Sequence, residues 1–177
     1  MAWFLVKWVG AGAVLWGASG FGFEFAKKYR KRPLELREMM TALRMLRADI
    51  TYERLPLPES CLKIANHFPE HSGTHQVFAM TAKLLSASGT HAADALSDAL
   101  GQAGENWSLS AEDIRTLRQF SHTIGTTSAD LQAVAISAVL TELADREKEA
   151  VIDRERFEKV YRTAGVLIGV LVVVMLW

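Results

Sequence analysis

His67-Phe68-Pro69-Glu70-His71 follows the H-x-x-E-H order of an inverted zinc-hydrolase signature, and His75 comes four residues later. Such a site needs two imidazoles on one face of an unbroken helix, converging on zinc while the glutamate serves as base. Pro69 stands between the two histidines. It removes a helix donor, clashes with the preceding turn and pushes Phe68 toward extended geometry. The facing geometry is lost and no distal acidic ligand can be pointed to, so the segment reads as a polar turn between helices. Cys61 is the only cysteine, which excludes an intrachain disulfide and a cysteine-based zinc cluster. Its apolar spacing in a predicted short helix suits a packed thiol rather than a nucleophile. Asp94 and Asp98, four apart, read as a wet helix face rather than a catalytic carboxylate pair. Neither glycine-rich phosphate cradle occurs. Lys plus Arg and Asp plus Glu number 20 each, so the net charge is zero and the footprint of a nucleic-acid binder is missing. The expectation is a non-enzyme without metal, cofactor or nucleic-acid partner.

The elements that carry these residues read as helices throughout. Leu36, Met39, Leu43, Leu46 and Ile50 recur at three- and four-residue steps, with Pro33 expected at a first helical position and Arg37, Glu38, Arg44 and Arg47 on the opposite side. Pro56 and Pro58 stop this helix near Tyr52. A short helix with Leu62, Ala65 and Phe68 follows, then one capped by Ser72 and carrying Val77, Phe78, Met80, Leu84 and Leu85. A fourth runs from about His91 to Gln102. Ser110 with Asp113 makes a capping box ahead of the Ile114, Leu117, Phe120 and Ile124 stripe, which Gly125 ends. The last helix continues without Gly or Pro from about Ala129 to Ala164, and its charge-rich stretch from Glu142 to Arg162 is read first as a solvated face.

Half the residues are hydrophobic and the mean hydropathy is +0.10, and the surplus lies at the two ends. Trp8 to Phe23 is uncharged, and with the residues from Ala2 it reaches the roughly 20 residues that a membrane-spanning helix needs, interrupted only by Lys7. Ala164 to Trp177 is a second uncharged run, marginal in length for a full crossing. A cleaved signal peptide is the rival reading of the N-terminus. Against it stands the flank Lys27, Lys28, Arg30, Lys31 and Arg32, which favours a cytoplasmic side after the run. The expected organisation is all-α: an N-terminal membrane helix over 1–26, a cytoplasmic helical bundle over 27–163, and a C-terminal membrane segment over 164–177. Both termini would lie outside. Ala13 with Gly17, Ala18 with Gly22, and Gly165 with Gly169 repeat the small-x-x-x-small spacing that lets membrane helices approach closely.

With these elements placed, the chain resembles a known family, stage III sporulation protein AB. The resemblance rests on Arg32-Pro33, Leu36-Arg37, Met39, Ala42-Leu43, Leu46, Asp49-Ile50, Tyr52, Pro56-Leu57 and Glu59, on Ile124-Gly125, Ser128 and Gln132, and on Tyr161 with Gly165 to Leu167. Asp49 stands where the family usually has glutamate, and Ser128 where aspartate is common. The resemblance implies a non-enzymatic component of the assembly joining mother cell and forespore, in the mother-cell membrane around the forespore. It implies a helical domain like the platform proteins of type II secretion and type IV pilus systems, beside a cytoplasmic ATPase, stage III sporulation protein AA, and other membrane subunits. Two charged patches are candidates for docking the ATPase: Arg37, Arg44, Arg47 and Asp49 on the first helix, and Glu147, Glu155 and Glu158 on the last. The alternative for these charges is solubilisation alone. A membrane-tethered adaptor or platform of another secretion or pilus system is the second function class.

Overall fold

A computed structural model describes residues 29–88, 90–103, 107–125 and 128–176, with the side chains of 88, 158, 159 and 161–176 left aside. Among the described residues there are six α-helices: α1 (29–48), α2 (Leu57–Ala65), α3 (Gly73–Ser88), α4 (Ala92–Ala103), α5 (Ala111–Ser121) and α6 (Ala129–Leu176). A π-helical turn, Asp49–Glu53, extends α1. The described residues contain no strand, as the all-helical reading expects. Two compact units result: a bundle, Arg32–Glu149, and a second unit that among the described residues comprises 29–31 and 150–176. Within the second, the rings of Tyr29 and Phe157 stack with centroids 4.2 Å apart.

In the bundle, the predicted stripe of α1 is the core: Leu36, Met39, Leu43 and Leu46 are buried, joined by Met40 and Ala42. Met39 and Leu43 meet Val77 and Phe78 of α3, Leu96 and Leu100 of α4, and Leu117 and Phe120 of α5. The hole left between them is about 10 Å³, the close packing that makes such a core intolerant of volume change. Consecutive helices from α2 to α5 pack on one another. α1 is already helical at residue 29, so Pro33 lies inside it rather than opening it, and the ring denies the Tyr29 carbonyl its usual donor.

Three local features set the turns. The π turn closes on Arg54, whose φ of 50° is left-handed and whose N–H donates to the Asp49 carbonyl. Pro58 sits in the first turn of α2, whose buried face is Ser60, Cys61, Ile64 and Ala65. Leu62, expected inside, is instead exposed, and Phe68 lies beyond the helix end in the turn that Pro69 enforces. Gly125 adopts φ of 75°, and a Cβ there would come within 2.8 Å of the Ala92 Cβ, so glycine is required on both counts.

Among the described residues no helix is long and apolar enough to cross a membrane. The span expected over 1–26, with Ala13, Gly17, Ala18 and Gly22, lies outside the described residues, and at Gly165 and Gly169 only a helical backbone is described.

Candidate functional site

The histidine turn comes first because its residue types are the most suggestive. His67 to His71 lie between α2 and α3 in irregular backbone, and His75 is one turn into α3 with Nδ1 2.8 Å from the Ala65 carbonyl oxygen. The two histidines of the motif therefore share no helix face. No cluster of three or more metal-ligating side chains occurs among the described residues.

Cys61 is buried under the π turn, where burial first and the Asp49 carboxylate second push its thiol up to about 12. A thiol so held stays protonated and unreactive. Asp49 beside it is buried as well, 2% exposed, although its place on α1 suggested a surface residue. The π turn that begins there changes the helix register, and the carboxylate turns inward to accept from Ser60 Oγ at 2.6 Å and Lys63 Nζ at 2.8 Å. Lys63 also donates to Glu53, and these two bonds raise its pKa. Asp49 thus fastens the end of α1 to α2 and is withdrawn from the expected docking patch.

A second buried carboxylate, Asp113, organises α5. Ser110 Oγ accepts from the Asp113 N–H at 3.1 Å while Asp113 Oδ2 accepts from the Ser110 N–H at 2.8 Å, the reciprocal box read from the sequence. What the sequence left invisible is Arg32. It reaches across the bundle to donate from Nε and Nη2 to the two oxygens of Asp113, at 2.8 and 3.0 Å. Arg146 of α6 lies 3.6 Å from the same carboxylate and also pairs with Glu142 and Glu112. Burial alone would raise the Asp113 pKa, but Arg32 and the Ser110 backbone and hydroxyl together hold it below the usual carboxylate range. Arg32, which the sequence assigns to the membrane-flanking cluster, is therefore a tie of the bundle. No local spacing announces a pair 81 residues apart.

Arg37, Arg47 and Glu147 meet where α1 faces α6. Arg37 donates to Glu147 at 2.7 Å, and Arg47 donates to Ser137 Oγ at 3.0 Å. Ten residues forward on α1 match ten residues back on α6, so the two helices run antiparallel. This brings Arg37 and Glu147, expected in separate patches, into a single one. Arg44 is exposed between Arg37 and Arg47. Among the described residues no carboxylate lies within ion-pair distance of Arg44 or Arg47, whereas Arg37, Lys148 and Arg146 each have one. Glu155 is exposed in the second unit, and the Glu158 side chain lies outside the described residues. Asp94 and Asp98 are both exposed on α4.

These features define, among the described residues, an all-helical bundle whose internal carboxylates are spent on holding helices together and whose Arg44 and Arg47 have no carboxylate within ion-pair distance. The chain belongs to the stage III sporulation protein AB family, whose pattern matches residues 7–177. It is similar to stage III sporulation protein AB of Bacillus subtilis (strain 168), with 28% identity over 172 residues that cover 97% of this chain and 99% of that protein. It is also similar to a solved structure of stage III sporulation protein AB, with a TM-score of 0.67 and 25% identity, covering 71% of this chain and 98% of the other. The family expected from Arg32-Pro33 and the residues after it is the family found.

Proposed function

We propose that the chain is a non-enzymatic membrane platform of the stage III sporulation assembly. Its apolar ends, residues 1–26 and 164–177, anchor it in the mother-cell membrane around the forespore, with basic flanks keeping the bundle cytoplasmic. The α1–α6 face then docks a cytoplasmic secretion-type ATPase, stage III sporulation protein AA, while the ends hold other membrane subunits. The observation that carries this reading is the pair Arg44 and Arg47. The fold answers its buried charges with partners but leaves Arg44 exposed and Arg47 half-buried against Ser137 Oγ, neither with a carboxylate within ion-pair distance among the described residues. An exposed cation on a rigid helix pair contributes little to stability and is suited to steering and registering an acidic partner.

The test is a pull-down of the tagged full chain from detergent-solubilised membranes of sporulating cells. The ATPase and membrane subunits are expected to come down together with it. Recovery of the untagged chain as a freely dispersed monomer, with none in the lipid fraction, would overturn the proposal.

A further inference from the structure

The first turns of α6 present apolar side chains on two opposite faces. Ile136 and Leu143 point into the bundle, both 0% exposed. Leu131 and Val134, by contrast, stand 59% and 66% exposed, and Ala138 is exposed with them. At about 100° per residue, these three lie roughly 140–160° around the helix from Ile136, on the side away from the core. An outward apolar stripe at i, i+3, i+7 spacing has the periodicity of a helix-binding surface.

The charge beside the stripe specifies the cover. Ser137 adjoins Ala138 and lies three residues from Val134, and Arg47 is bonded to it, so a guanidinium borders the stripe on its α1 side. Arg44 stands exposed one turn before Arg47. Other cations of the bundle's α6 side are already occupied: Arg37 by Glu147, Lys148 by Asp145 and Arg146 by Glu142. Resting on the platform reading above, we infer that the stripe seats an amphipathic helix of a partner protein. That helix is apolar along the line meeting Leu131, Val134 and Ala138, and it carries carboxylates along the edge meeting Arg44 and Arg47.

The test places a photo-reactive amino acid at Val134 of the full chain in sporulating cells and sequences the cross-linked peptide by mass spectrometry. The same residue at exposed Gln119 on α5 measures random encounter. The expected adduct is an acidic amphipathic segment of another protein, with a yield that falls about tenfold or more under Arg44→Glu with Arg47→Glu. An unchanged melting temperature shows that this variant is folded. An adduct to α6 of a second copy, to lipid, or to a segment without carboxylates overturns the inference, as does a yield no higher than at Gln119. If charge reversal abolishes co-purification of the assembly while Val134 gives one of those adducts, the inference alone fails. If co-purification survives the reversal, the docking face itself is wrong.

Discussion

Arg32 and Arg44 lie twelve residues apart on the same helix and have the same side chain, yet the molecule uses them in opposite ways. Arg32 is drawn against the fully buried carboxylate of Asp113, which also caps α5 and lies beside Arg146. Arg44 meets no carboxylate within ion-pair distance among the described residues and remains exposed one turn before Arg47. The difference teaches that charge in this chain stands in two settings, one that locks helices together and one that stays at the surface without a carboxylate among the described residues. A buried pair is costly to break because the survivor is stranded, whereas an exposed cation is nearly free to change.

The largest effect that could break this distinction is expected at Asp113. Asp113→Ala strands Arg32 and removes the carboxylate half of the α5 capping box, for a loss of about 3–5 kcal/mol in chemical denaturation. A loss near that for a surface residue would merge the two classes of charge. Gly73 probes the buried region without touching charge. A Cβ there would run into the Trp107 indole, so Gly73→Ala is expected to cost about 1–3 kcal/mol by forcing the ring out of place.

Acid should act on the first region only. Because the folded state holds the Asp113 pKa below its ordinary value, its stabilisation is complete above the unfolded value of about 4 and is lost as pH falls through the folded one. Melting temperatures measured across that window should fall in the parent chain and fall less in Asp113→Asn. The smallest effect is expected on the other face, where Arg37→Ala removes a half-exposed pair with Glu147 and should change stability by no more than about 1 kcal/mol.

The sequence made one kind of information legible and hid another. Helical stripes are local, so Leu36, Met39, Leu43 and Leu46, or Leu117 and Phe120, could be placed in the core from spacing alone. The Ser110 and Asp113 box and the Gly125 stop were legible for the same reason. Asp49 was misplaced because a straight α-helix was assumed where the chain makes a π turn. Leu62 was misplaced because the short α2 buries Cys61 and Ile64 instead, a choice made by what packs against it. The Arg32 to Asp113 tie and the union of Arg37 with Glu147 depend on distant helices meeting, and neither leaves a periodic trace.

One measurement bears most directly on the central claim that the α1–α6 face is kept for a partner. Membranes of sporulating cells carrying the tagged chain, either unaltered or with Arg44→Glu and Arg47→Glu, are solubilised, and the ATPase recovered per tagged chain is quantified. The account predicts recovery lowered about tenfold or more by the double reversal, with the chain's melting temperature moved by no more than the equivalent of about 0.5 kcal/mol. Undiminished recovery from a folded double variant would contradict it.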